Sequence, residues 1–203
     1  MESILTATFR HLQITFSGVL IAALVGIGTG ILITKHRRLA EAVMSATDLI
    51  QTVPSLALLA ILMMFFGLGD LTVIIALFLY SLLPIIRNTY VGLKGIDNGL
   101  VEAGVGMGMT RFQLLWKVKF PIALPVILSG IRVALVTALG IATIGVLIGA
   151  GGLGTFVYRG VQMADIHLIL TGAVPLSLLA IGTDLFLEVA SARMLRSKRR
   201  TVK

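Results

Sequence analysis

Five long stretches without a charged residue dominate the pattern of hydrophobic and polar positions in this chain. They are residues 12–34, 49–69, 71–86, 133–158 and 166–183. A helix needs about 20 mainly apolar residues to cross a bilayer. The pattern therefore predicts an all-α, polytopic membrane protein with a single transmembrane domain. Its five predicted spans lie at about 13–34, 49–66, 71–86, 126–147 and 168–187.

The composition excludes an ordinary soluble domain. Of the 203 residues, 57% are hydrophobic and 13% are charged, and the mean hydropathy is +1.03. A soluble fold would have to cover that apolar surface with a polar shell, whereas a lipid-facing band needs none. The chain has no cysteine, so disulfides, thiolate catalysis and cysteine metal sites are excluded.

The net charge of +8 is distributed unevenly between the two sides of the membrane. If connecting segments alternate sides, most of the 17 lysines and arginines share one side. Cytoplasmic loops carry such an excess, so we predict an external N-terminus and a cytoplasmic C-terminus, with no role for nucleic acid. The basic side holds Lys35, Arg37, Arg38, Arg87, Lys94, Arg111, Lys117, Lys119 and, in the tail, Arg193, Arg196, Lys198, Arg199, Arg200 and Lys203.

The internal segment at about residues 99–121 has a helical pattern of its own. It begins with a short helix, and Gly108 suits a left-handed turn that ends this helix. Thr110 opens a capping box that begins a second helix. Pro121 and Pro125 are expected to break that helix before the fourth span. A protruding element of this kind contributes nothing to spanning, so we predict a docking surface.

The same segment resembles the coupling loop of ATP-binding-cassette (ABC) importer permeases. That pattern is Glu-Ala-Ala, three residues, Gly, nine residues, then Ile-x-Leu-Pro. The matching positions, of which three depart from the pattern but stay small or apolar, are Glu102, Ala103, Gly104, Gly108, Val118, Phe120 and Pro121. The resemblance implies a type I importer fold with a cytoplasmic coupling helix that docks on a separate ATPase subunit. The implied contacts are Glu102, Ala103, Gly104, Gly108, Thr110 and Arg111.

Over most of its length the chain resembles one branch of these importers, the osmoprotectant-uptake permeases. The similarity lies in residues 47–62, 79–93, 102–110 and 149–160. It implies uptake of glycine betaine, choline, carnitine or a similar quaternary ammonium solute across a bacterial cell membrane. Besides the bilayer and the ATPase subunit, the implied partners are a second permease chain, identical or different, and an extracellular or periplasmic solute-binding protein.

Polar residues beside a proline in the second span are the candidate translocation path. They are Gln51, Thr52, Pro54 and Ser55. Polar side chains at such a break can line a conduit, but they suit hydrogen bonds between helices equally well. Both interpretations stay open.

Four ionisable residues lie near the inner ends of the spans: Asp48, Arg132, Asp184 and Glu188. An ionisable group in a span is a functional candidate. Pairing of Arg132 with Asp184 or Glu188 would be a structural alternative. No carboxylate or histidine lies near a span centre, which disfavours a proton relay.

Several motifs lack the context that their chemistry requires. Residues 149–154 read GAGGLG, but they follow a membrane helix rather than a strand, so we predict no dinucleotide site. Residues 149–165 are instead expected to form a flexible external loop that contacts a solute-binding protein. The chain has no phosphate-binding Gly-x-x-x-x-Gly-Lys-Ser/Thr motif, and its three histidines are scattered. We therefore predict a transport subunit with no ATPase site, catalytic residue, metal or cofactor.

Three other functions are weighed against this one. The same architecture could carry another solute, such as an amino acid or an organic anion. A secondary transporter driven by an ion gradient is disfavoured because the spans lack charges near their centres. A membrane scaffold would leave the glycine-interrupted cytoplasmic segment without a purpose.

Overall fold

The protein is all-α in the part of the chain that the computed structural model describes, residues 3–200, with the side chains of residues 190 and 192–200 excepted. The helices are α1 (Ile4–Ile33), α2 (Arg37–Thr52), α3 (Ser55–Phe66), α4 (Asp70–Lys94), α5 (Asn98–Gly106), α6 (Arg111–Gln113), α7 (Phe120–Ile144), α8 (Gly154–Met163) and α9 (Ile166–Arg200). A π-helical turn (Leu114–Lys119) joins α6 to α7, and a 3₁₀ turn (Gly145–Ile148) follows α7. The basic side chains predicted to anchor the tail, from Arg193 to Lys203, lie outside the described residues.

Within the described residues, four helical runs are long and apolar enough to cross a membrane. They are Ile4–Ile33, Asp70–Lys94, Arg111–Ile148 and Ile166–Val189. They contain the predicted third, fourth and fifth spans, and the first run covers the predicted first span except its last residue, Thr34. The bent pair α2–α3 supplies a fifth crossing if the two helices are counted as one span.

The second predicted span is wrong as a continuous helix. Between α2 and α3 the chain bends by 97°. Val53 is extended, with φ −69° and ψ 127°, because the ring of Pro54 disfavours the helical region for the residue before it. With 12 residues, α3 is about 18 Å long, which is shorter than the bilayer core of about 30 Å.

The predicted break at Pro121 and Pro125 is also wrong. Helical structure runs without interruption from Arg111 to Ile148. The turn before Pro121 is widened to π geometry, in which the N–H of Phe120 donates to the carbonyl of Leu115. Pro121, near the start of α7, has no N–H to donate. The wider π-helical turn before it does not need that donor, so the helix continues.

At the centre of the bundle α1, α4 and α7 pack against one another. Glycines on α1 allow close approach to α4: an added methyl group would lie 2.8 Å from Leu77 Cβ at Gly18 and 2.6 Å from Thr89 Cβ at Gly30. Small residues are expected at such contacts because apolar burial does not drive helices together in lipid. These two glycines therefore allow α1 and α4 to pack closely. In contrast, Gly140 on α7 faces open space.

The glycine-rich segment after α7 is neither a long loop nor loosely held. Residues 154–163 form α8, which contradicts the predicted loop at 149–165. The N–H of Gly151 donates to Asp70 Oδ1 at 3.1 Å, and Asp70 also pairs with Arg10 at 2.8 Å. Leu153 is fully buried. The segment is therefore anchored to the ends of α1 and α4.

Candidate translocation pocket and docking loop

The bend between α2 and α3 opens a pocket of about 540 Å³ against α4 and α7. All four predicted path residues line it. From α4 and α7 come Tyr80, Leu83, Pro84, Arg87, Asn88, Val133, Thr137 and Ile141. Sequence reasoning named the residues of one wall of this pocket, and the fold supplies the others from positions 25 to 90 residues later in the chain.

Two hydrogen bonds hold the bend against α4. The amide of Gln51 donates to the carbonyl of Tyr80 at 2.9 Å, and the Tyr80 hydroxyl donates to the carbonyl of Val53. Pro84 has no N–H, so the Tyr80 carbonyl four residues earlier lacks its helical donor. Gln51 satisfies that carbonyl. Gln51 therefore makes the hydrogen bond between helices that one of the two interpretations predicted, and it also lines the pocket.

The other path residues differ in how free their polar atoms are. Thr52 donates back to the carbonyl of Leu49 at 2.7 Å, so its hydroxyl proton is already used within α2. Pro54 is exposed and Ser55 is half-buried at the start of α3. On the far wall, Asn88 donates to the carbonyl of Pro84 at 2.8 Å.

The pocket contains one arginine, and its charge is neutralised by an aspartate. Arg87 lines the pocket and forms two hydrogen bonds to Asp48, at 2.8 and 3.0 Å. Sequence reasoning singled out Asp48 but missed Arg87 as its partner, because 39 positions separate them. Nearby, α7 contacts α4 so closely at Gly130 that an added methyl group would lie 2.6 Å from the carbonyl oxygen of Pro84.

Arg132 is paired, as the structural alternative predicted. It hydrogen-bonds both carboxylate oxygens of Asp184 and reaches Glu188 at 3.0 Å. This cluster joins α7 to α9, and none of its members lines the pocket. Its role within the chain is to hold these helices together.

In the predicted docking loop, residues 97–113 form the predicted helix, left-handed turn and second helix. Asp97 caps α5 by accepting from the N–H groups of Gly99 and Leu100. At the other end Gly108 has φ +77°, and the N–H groups of Gly108 and Met109 return to carbonyls of the last turn. This is a Schellman turn, which satisfies the last carbonyls of a helix.

The capping box is likewise present. Thr110 Oγ1 accepts from the N–H of Gln113 at 3.3 Å, and the Gln113 side chain accepts from the N–H of Thr110 at 2.9 Å. Both termini of the turn between α5 and α6 are therefore fixed by their own hydrogen bonds. A loop with these internal hydrogen bonds is rigid rather than flexible.

The predicted docking residues fall into two groups. Glu102, Ala103, Gly108, Thr110 and Arg111 are exposed. Gly104 is buried, and a methyl group there would lie 2.6 Å from Leu114 Cδ1. Within this chain Gly104 packs α5 against the π-helical turn, while the exposed group is free to contact a partner.

Sequence reasoning missed the aromatic neighbours of the loop. Trp116, the chain's single tryptophan, lies between Phe112 and Phe120, with ring centroids 6.1 and 4.9 Å away. The spacing of four residues along one helix was the signal that could have identified them. Phe112 is 71% exposed and Trp116 is 44% exposed.

Comparison with known proteins decides the family. Residues 14–196 match the family described as "Binding-protein-dependent transport system inner membrane component". The chain belongs to this family. It is a multi-pass component of the bacterial cell membrane and a permease subunit of an ABC importer, as the resemblance of the loop implied.

Individual relatives support this family assignment. The chain is 51% identical to "Glycine betaine/carnitine/choline transport system permease protein OpuCD" of Bacillus subtilis, over 90% of this chain and 80% of that one. It is 51% identical to "Choline transport system permease protein OpuBD" of the same organism, over 88% and 79%. Among solved structures, an inward-facing conformation of the MetNI methionine ABC transporter matches with a TM-score of 0.80 at 25% identity, covering 96% and 95%.

Proposed function

We propose that this permease subunit provides the membrane path for an osmoprotectant such as glycine betaine, choline or carnitine. The observation that carries the solute class is the 51% identity, over nearly the whole chain, to a permease of a glycine betaine, carnitine and choline transport system. ATP is hydrolysed by a separate subunit, a second permease chain completes the path, and a solute-binding protein delivers the solute. The permease itself has no catalytic role.

Uptake competition tests the solute class. Cells that express the complete transport system should take up labelled glycine betaine, and excess unlabelled choline or carnitine should lower that uptake. Methionine is the sharpest control because the structural neighbour is a methionine transporter. Competition by methionine but not by choline or carnitine would reverse the assignment. Uptake that survives ATP depletion but stops with an ionophore would indicate a secondary transporter.

The exposed docking residues form the contact with the ATPase subunit. Glu102 and Ala103 lie on α5, Gly108 and Thr110 lie on the turn that follows it, and Arg111 begins α6. The hydrogen-bonded caps at both ends of this turn give a firm surface through which closure of the ATPase can move α7. This assignment requires the end of the bundle that carries α5 to face the cytoplasm, with the N-terminus outside, as the distribution of basic residues favours.

Paired substitutions test the docking surface. Glu102→Lys with Gly108→Trp reverses a charge and places a bulky side chain at φ +77°. ATPase association and uptake should both collapse while the chain still inserts. Glu41→Lys is a matched charge reversal at an exposed carboxylate outside the loop, paired only at the surface with Arg37, and it should keep both functions. Normal uptake by the double variant would remove the docking assignment.

The pocket at the α2–α3 bend forms part of the solute path. It combines a polar break, a neutralised ion pair and one aromatic ring, Tyr80, among its lining residues. Such a surface contacts a cation through dipoles and one π face without an aromatic cage to retain it. Weak contact suits passage, since a conduit must release what it admits.

Single cysteines test the path because the chain has none of its own. Ser55→Cys and Thr137→Cys line the pocket from two different helices, α3 and α7. Both should react with a cationic thiol reagent in the assembled transporter, and glycine betaine should protect them during turnover. Leu178→Cys on the exposed face of α9 is the control that solute should not protect. Equal behaviour at all three positions would exclude the pocket from the path.

A further inference from the structure

A second, larger cavity, distinct from the pocket at the α2–α3 bend, lies where the ends of α1 and α4 meet α6 and the π-helical turn. Its volume is about 890 Å³, within the range of about 300–1,000 Å³ typical of small-molecule sites. It is enclosed by the ends of α1 and α4 and by the run from α6 through the π-helical turn. Of the predicted docking residues, Arg111 alone is among its lining residues.

The charges that line this cavity have one sign. Lys35, Lys94, Arg111 and Lys119 are cationic, and His36 lies beside them. None of the twelve lining residues is acidic. These groups are far apart along the chain, so only the fold brings them to a common cavity. An anionic group is the ligand that this arrangement favours.

The remaining walls are apolar. Ile31 and Leu93 come from the ends of two membrane-spanning helices, and Phe112, Leu114 and Leu115 come from the helix that continues into α7. A ligand that fits must therefore present an anionic group to the lysines and a hydrocarbon portion to these side chains. A soluble anion would leave the apolar walls unused, and a buried cation would meet only like charges.

We propose that this cavity binds the headgroup phosphate of an anionic phospholipid, with the start of an acyl chain against Ile31, Leu93 and Leu115. Basic pockets between membrane helices recognise anionic lipid headgroups in this manner. The site adjoins the docking loop through Val105 and Arg111. A bound lipid would thus brace the loop against the ends of α1 and α4.

The single tryptophan provides a direct readout. Trp116 contacts the ring of Phe112, which lines the cavity. The full chain is reconstituted in phosphatidylcholine bilayers that contain a small fraction of brominated phosphatidylglycerol or, separately, of brominated phosphatidylcholine. Brominated phosphatidylglycerol should quench Trp116 with at least a tenfold higher apparent affinity. Equal quenching by the two lipids would overturn the proposal.

A matched pair of triple variants separates a site from general surface charge. Lys35→Gln, Lys94→Gln and Lys119→Gln remove three lining charges and leave all six predicted docking residues intact. Each lysine near an anionic surface contributes about fivefold in affinity, so removing three should lower the affinity about a hundredfold and abolish the preference. Arg37→Gln, Arg38→Gln and Lys117→Gln remove three exposed charges that do not line the cavity, and the preference should remain. Equal losses in the two variants would overturn the proposal.

Two further measurements exclude other occupants. Inorganic phosphate at millimolar concentration should not relieve quenching by brominated phosphatidylglycerol, and relief would identify a soluble-anion site instead. The assembled transporter, purified with its ATPase subunit, should retain phosphatidylglycerol in the parent chain and lose it in the lining triple variant. Absence of retained lipid in the parent complex would mean that a partner protein fills the cavity.

Discussion

Two proline-containing regions of this permease behave in opposite ways. At Pro54 the chain leaves the helical region, bends by 97° and opens the pocket between α2, α3, α4 and α7. At Pro121 the helix continues, because one π-helical turn accommodates the proline ring. The residue before each proline differs accordingly, since Val53 is extended and Phe120 is helical.

The difference shows that neighbouring groups decide what a proline does. At the bend, the hydroxyl of Tyr80 donates to the carbonyl of Val53. At Pro84 the freed carbonyl of Tyr80 is satisfied by Gln51, so α4 continues through its proline. In lipid an unsatisfied backbone group costs several kcal/mol, so the available donors determine which backbone path is stable.

The largest expected effect is at Gly130, where α7 packs closely against Pro84 of α4. Gly130→Ala would place a methyl group 2.6 Å from the carbonyl oxygen of Pro84. Because that atom belongs to the backbone, relief requires a shift of α7, and we expect a loss of about 1–3 kcal/mol in stability. Thermal unfolding of the purified protein in detergent measures the loss.

Gly140→Ala is the control on the same helix. Gly140 has no neighbouring atom within 4 Å of an added methyl group, so alanine should be neutral or should raise stability by up to about 1 kcal/mol through its helix propensity. If both substitutions lower the unfolding temperature equally, the close approach at Gly130 is not what limits α7.

A double-mutant cycle tests the compensation at Pro84. Gln51→Leu should cost roughly 1–2 kcal/mol because it leaves the carbonyl of Tyr80 without a donor. Pro84→Ala supplies an N–H to that carbonyl, so Gln51→Leu should cost little in the Pro84→Ala background. Unfolding temperatures of the four proteins give the coupling energy.

Additive effects would contradict this account of Gln51. Gln13→Leu, at an exposed glutamine on α1, controls for the loss of an amide in itself. It should change stability by less than Gln51→Leu does.

The smallest stability effect is expected at Pro121. Pro121→Ala restores an N–H, but the π-helical turn already accommodates the ring, so stability should change by less than about 1 kcal/mol, against about 3 kcal/mol for an uncompensated interior proline. The turn should relax toward regular geometry and rotate Phe112 relative to α7, which the fluorescence of Trp116 reports. A large gain in stability with unchanged fluorescence would show that the π turn stores strain instead.

Much of the docking loop could be predicted because its determinants are local. Gly108 ends α5 through its own backbone freedom, and Thr110 with Gln113 begins α6 through hydrogen bonds three residues apart. The positions of the long spans were predictable for a related reason. A run of some 20 uncharged residues has no other stable place than lipid.

The sequence by itself determined the class of protein, the long membrane helices and the turn that carries the predicted docking residues, since composition and short-range hydrogen bonds settle each of them. Only the tertiary structure decided which proline bends the chain, which helices face Gln51 and Pro54, and that Lys35, Lys94 and Lys119 line one cavity. The physical reason is that these outcomes depend on donors, carbonyls and charges tens of residues away in the chain. Their proximity is set by helix packing, which no local pattern encodes.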